Sequence, residues 1–158
     1  MEITTEQVPV AEIREEKIIS MPAGMPGFLG CKRFLIIERE ETWPFYVYQC
    51  VDDKALSFYI MNPFLFNADY EVNLDQAIKE MRWLPDDRDH IKIYVIVNTT
   101  AGVPEKITAN LLGPLIINTR NGEAVQLVLH NSPYSHKHLI FQEKEPVEAQ
   151  GSKKMAGG

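Results

Sequence analysis

Short apolar runs, each bounded by Pro, Gly, Asn or Asp, follow one another along most of this chain, which is the pattern of an antiparallel β protein. The clearest run is 90–98. There Ile91, Ile93, Val95 and Val97 alternate with Lys92, Tyr94 and Ile96, so a strand would turn the first set toward an apolar inner side. Similar runs at 16–20, 33–37, 45–51, 55–61, 115–118, 124–130 and 138–142 bring the expectation to eight strands. Tight connections at Asp52-Asp53-Lys54 and at Arg120-Asn121-Gly122-Glu123 predict antiparallel neighbours, the second as a type I′ hairpin because Asn and Gly both tolerate positive φ.

One segment changes period. Between Asn73 and Trp83 the apolar positions Leu74, Ala77, Ile78 and Met81 recur at helical spacing. Asn73 is the expected cap, Gln76 completes a capping-box pattern, and Asp75 favours the positive end of the helix dipole. So short a helix needs a partner surface, and its stripe is expected to lie on the sheet, closing an open edge or barrel mouth, with Trp83 sealing the junction. A second short helix is expected at 107–112, ended by Gly113-Pro114. After Gln142 the apolar pattern stops, so residues 1–142 read as one domain and 143–158 as a disordered tail.

Composition then narrows the function. A chain of 158 residues, 45% hydrophobic and 24% charged, is the size and make-up of a single globular domain. No apolar stretch is long enough for a membrane helix and the acidic opening is unlike a signal peptide, which points to the cytoplasm. The net charge of -6 disfavours phosphate backbones, so direct nucleic-acid binding is not expected. Nine acids against four bases between Asp52 and Asp89 form an acidic block, either a solvated face or a means of steering a basic protein partner. Cys31 and Cys50 lack metal or redox spacing and are expected as reduced, packed thiols.

Candidate chemistry is sparse. Gly24, Gly27 and Gly30 are spaced unlike a phosphate loop and lead into a strand; the stretch from Met21 to Phe28 reads instead as a structured turn with Met25 and Phe28 at its rim. No serine sits in a nucleophile elbow, and the pairs Asp52/Asp53 and Asp86/Asp87 lie in polar, turn-like surroundings that would not separate their pKa values. His130, His136 and His138 offer imidazoles to a metal-dependent enzyme, against surface histidines as the plainer account. Tyr46, Tyr48 and Tyr59 offer a stacking platform to a small nucleic-acid-binding barrel, which the charge opposes. No catalytic residue, metal ligand or cofactor is expected.

In order and spacing, the residues from about Ile18 to Phe141 resemble the FliW flagellar assembly factors. The pieces are Gly24-Met25-Pro26-Gly27-Phe28, Phe34 to Ile37, Phe45 to Cys50 with the Asp52-Asp53 turn, Phe58 to Pro63, and Tyr70 with the following helix and strand. The strongest is the block Thr108-x-Asn110-Leu111-x-x-Pro114-x-x-x-Asn118, followed by Asn121-Gly122, Gln126 and Tyr134. Gly113 stands where the family would have alanine, and Cys50 where it often has serine.

The resemblance implies a mainly β fold, a small antiparallel β-barrel or roll with one or two short α-helices, in a non-enzymatic cytoplasmic protein. It further implies two protein partners: flagellin, and the translational repressor CsrA, which FliW binds and antagonises once flagellin is exported. The expected partner contacts are Asn62, Pro63 and Phe64, then Asp69, Tyr70 and Glu71, with Asn110 and Leu111 beside them. Phe64, Leu65 and Phe66 are open to two readings: an exposed apolar hot spot, or residues that close the barrel mouth.

Overall fold

In the computed structural model, which describes residues 17–141 apart from 101 and 131, nine strands form one sheet. They are β1 (Ile19–Ser20), β2 (Arg33–Ile37), β3 (Tyr46–Cys50), β4 (Ser57–Met61), β5 (Ile91–Asn98), β6 (Thr108–Ala109), β7 (Leu115–Asn118), β8 (Glu123–Gln126) and β9 (His138–Leu139), with helix α1 (Leu74–Met81) between β4 and β5. The order β4-β3-β2-β1-β8-β7-β5 closes on itself through β4–β5 pairing, giving a seven-strand barrel to which β6 and β9 are appended. Closure removes the exposed edges that an open sheet would leave. The eight expected runs all contain strands, but one pairing departs from the antiparallel expectation: β1 runs parallel to β8 at Ser20 and Glu123. The tail expected at 143–158 lies outside the described residues. No helix among those residues is long and apolar enough to cross a membrane.

β5 corrects the reading of its own alternation. Tyr94 and Ile96 face the barrel interior, packed with Phe34, Tyr48, Ile60, Leu115 and Ile117, whereas Val95 and Val97 face outward beneath Tyr70, Leu111 and Ile140. Both faces are covered, so alternation marks the strand without saying which side is inner. The strand is long enough to do two jobs: its first half pairs with β7, and its second half with β4 and β6.

The helix forms where expected, and its cap is simpler than the capping box. Asn73 Oδ1 accepts from the Asp75 amide at 3.0 Å, while Gln76 Nε2 turns to Glu80 at 3.3 Å. Arg82 in the left-handed region (φ 59°) ends the helix. Ala77, Leu74, Ile78 and Met81 pack with Ile116, Val125 and Leu127, so α1 lies on the outer wall of β7 and β8 and plugs neither an edge nor a mouth. Trp83 does seal that junction, buried and donating from Nε1 to Glu123 Oε1 at 2.8 Å.

Three other local expectations are corrected. The segment 107–112 forms β6 and a turn in place of a helix, because Thr108 and Ala109 pair with both β5 and β9 and Asn110 Oδ1 bonds the Leu112 amide at 3.0 Å. The Asn-Gly turn is not type I′: Gly122 (φ 76°) has positive φ and Asn121 does not, and the Gly122 amide closes onto the Asn118 carbonyl at 2.8 Å. In the turn at 21–28, Gly24 and Gly27 supply positive φ as expected, yet Met25 is buried and the exposed rim is Phe28 and Leu29.

The cysteines, expected as reduced thiols, are joined as a disulfide with Cα atoms 6.3 Å apart. The β2–β3 register places Cys50 opposite Phe34, and the turn closed by the Cys31 amide on the Phe28 carbonyl carries Cys31 to the same spot. That separation is within bridging range. Sequence spacing carried no sign of it, because the register that brings the two together is a tertiary property.

Candidate functional site

The expected contact residues come from three separate stretches of chain, and the fold ties them into one joint. After β4 the chain enters a 3-10 turn at Pro63–Leu65, whose entry is fixed by Asn62: its Oδ1 accepts the Phe64 amide at 2.9 Å. Pro63, with φ preset for the first turn position, is buried beneath. The turn therefore tips Phe64 and Leu65 outward, 39% and 55% exposed.

Tyr70 pins the segment down. Its ring is buried and its hydroxyl donates to the Leu111 carbonyl at 2.6 Å, while Tyr134 packs edge-on at 4.8 Å between ring centres. The Tyr134 hydroxyl in turn accepts the Glu71 amide at 2.9 Å, and Phe66 stacks on His138 of β9. Burial, then the neighbouring Tyr134, pushes the Tyr70 phenol well above its ordinary range, so it stays a protonated donor. Phe64 lies 6.1 Å from the Tyr70 ring, and Asp69 and Glu71 flank Tyr70 as exposed acids. The outcome is an apolar pair, Phe64 and Leu65, beside carboxylates on a firmly anchored loop.

The expected residues thus divide. Phe64, Asp69 and Glu71 are presented to solvent; Asn62 caps the turn; Pro63, Tyr70 and Leu111 are buried supports; Asn110, half-buried, holds its own turn. At Gly113 a Cβ would sit 2.8 Å from Gln126 Nε2 and 2.9 Å from Asn110 Nδ2, so the glycine makes room for these two amides. Sequence reasoning missed a groove of about 360 Å³ beside Phe64, lined by Asn62, Tyr46, Lys92, Ile93 and Tyr94. Its signal was Tyr94, whose polar tip and apolar body suit a half-buried strand position.

The acidic block is less of a free face than its composition implies. Asp52 pairs with Arg33, Asp75 with Arg88, and Asp87 is buried against Arg120. Asp87 also accepts from Asn118 Nδ2 at 3.0 Å and from the Leu84 amide at 2.9 Å. The Arg120 guanidinium, helped by those two donors, outweighs burial and holds the Asp87 carboxyl well below the usual carboxylate range. It carries no proton to trade near neutrality and acts as a structural anchor.

Among the described residues, the side chains named for the two alternative chemistries are not brought together. Tyr46 and Tyr48 point into the barrel and Tyr59 to its outer side, so the three form no stacking platform. His138 lies against Phe66, and among the described residues no three His, Cys, Asp or Glu side chains gather to hold a metal.

A family model described as FliW protein matches residues 2–140. The flagellar assembly factor FliW of Bacillus subtilis (strain 168) is 41% identical over 128 residues, 81% of this chain and 88% of that one. The factor of the same name from Alkaliphilus metalliredigens (strain QYMF) is 37% identical over 153 residues, 96% of this chain and 93% of the other. A crystal structure of the flagellar assembly factor FliW superposes with a TM-score of 0.75 at 33% identity, covering 85% of this chain and 92% of that one.

Proposed function

Since the chain belongs to the FliW family of non-enzymatic flagellar assembly factors, we propose that it works in the cytoplasm as a switchable binding protein with two polypeptide partners. Held by flagellin, it is silent; released when flagellin is exported, it binds CsrA and lifts the repression of flagellin synthesis. Phe64, Asp69 and Glu71 make the contacts, with Asn62, Pro63, Tyr70, Asn110 and Leu111 holding them in place.

The observation that supports this reading is the Tyr70 joint. Three distant segments are bonded together at one loop, and that loop exposes two large apolar side chains beside carboxylates. A pre-ordered apolar anchor with a charged rim gives affinity at its centre and rate at its edge. The acidic rim and the net charge of -6 suit a basic RNA-binding protein and repel RNA itself.

Charge reversal tests it. The double variant Asp69→Lys, Glu71→Lys is expected to bind CsrA about tenfold more weakly at low salt, with the deficit shrinking as salt rises. Titration calorimetry at two ionic strengths reads the effect, and the melting temperature should not move. Unchanged affinity at low salt would remove the acidic rim from the interface.

A further inference from the structure

Cys31 and Cys50 close a loop that nothing in the binding scheme above uses. The 21–31 turn is already well defined: Gly24 donates to Met21, Phe28 to Met25 and Cys31 to Phe28, each at 2.7 to 2.9 Å. Met21 and Met25 are buried in the barrel core, and Phe28 packs edge-on against Phe58 at 5.6 Å, leaving Leu29 63% exposed. The disulfide is the one covalent tie between this turn and the end of β3. Cys31 is 5% exposed and Cys50 fully buried.

We propose that Cys31 and Cys50 are a reversible redox pair that fixes or releases the 21–31 turn and the Phe28–Leu29 surface it carries. Resting on the cytoplasmic placement above, the ground state is the dithiol, and the disulfide forms when low-molecular-weight disulfides accumulate. When the turn lifts, the Cys31 thiolate attacks one sulfur of RSSR, forming Cys31–S–S–R and releasing RS⁻. The Cys50 thiolate then attacks Cys31 sulfur and expels the second RS⁻. The two thiol protons end on the two RSH molecules, so one RSSR is reduced for each protein disulfide made. Burial of Cys50 shields the finished bond, and the transient opening of the turn sets the rate in both directions.

The full chain, treated with excess oxidised glutathione and then with dithiothreitol, tests this without any substitution. Expected are loss of two hydrogens by intact mass on oxidation, their return on reduction of the folded protein, and a melting temperature about 5 to 10 °C higher when oxidised. Trypsin cleavage after Lys32 should be several-fold slower in the oxidised form. Cys50→Ala should stop at the glutathione adduct on Cys31 and show neither shift. A wild-type chain that stays dithiol, stops at a mixed disulfide, resists reduction while folded, or is cleaved equally fast in both states overturns the proposal. CsrA affinity is not the readout, so failure here leaves the Phe64 surface standing.

Discussion

Where the chain leaves the barrel before α1 it is pinned by a neutral hydroxyl, and where it returns after α1 it is pinned by an ionised carboxylate. Tyr70 donates to one carbonyl; Asp87 collects Arg120, Asn118 and a backbone amide. Both side chains are buried and both hold loops that the sheet cannot hold by itself. The neutral pin sits under the exposed Phe64 and Leu65, where an ionic network would compete with a charged partner and answer to pH. The ionic pin sits at the foot of the β7–β8 turn. There a carboxylate is held ionised because its desolvation is offset by three donors.

Removing the ionic pin should have the largest effect on stability. Asp87→Asn leaves Arg120 without its counter-charge and replaces an acceptor for three donors with an amide, so its denaturation midpoint should fall further than that of Tyr70→Phe, Trp83→Phe or Phe64→Ala. Its pH dependence has a definite sign. Because the folded pKa lies below the unfolded one, the unfolded chain takes up the proton first. The contribution is therefore complete above about pH 4, the ordinary aspartate value, and is lost as pH falls below it. Wild type should show this acid-side decline, and Asp87→Asn should show less of it. Equal slopes from pH 5 downward would mean that other carboxylates carry the acid response.

Neither pin was visible in the chain. Asp87 sat in an acidic run read as a turn, and only the fold brings it to Arg120, 33 positions away. The strands were legible because period two survives tertiary packing, and α1 because its stripe and its Asn73 cap are local. What failed were features decided by a partner elsewhere in the chain: which face of β5 is inner, that 108–109 within the expected helix adds to a sheet, that Cys31 meets Cys50. Within the candidate site, the stretches were legible as a group, but the division of labour was not. Tyr70 and Leu111 look as reactive in sequence as Phe64, and their burial turns them into supports.

The neutral pin comes next in size. Tyr70→Phe keeps the ring and deletes the donor, leaving the Leu111 carbonyl buried without its bond, at a cost of about 1 to 3 kcal/mol by chemical denaturation. The loss should be constant from pH 5 to pH 9, since the phenol does not ionise there, in contrast to the acid-dependent loss at Asp87. A pH-dependent loss would show that the two pins are coupled. Smaller again is Trp83→Phe, which removes the bond to Glu123 at the helix junction and should cost about 1 kcal/mol, read in the same titration.

The smallest stability effect belongs to Phe64, and it separates the two readings of the 64–66 segment. Phe64 is 39% exposed and rests on the Tyr70 ring, so Phe64→Ala should cost no more than about 1 kcal/mol of stability. As an interface anchor it should cost CsrA affinity about thirtyfold, because truncating a hot-spot aromatic is worth about 2 kcal/mol or more. Being apolar, the deficit should be the same at low and high salt, whereas that of the Asp69 and Glu71 reversal fades. A stability loss as large as that of Tyr70→Phe, with affinity intact, would instead make Phe64 a plug of the barrel mouth. The binding surface would then have to be sought elsewhere on the outer wall.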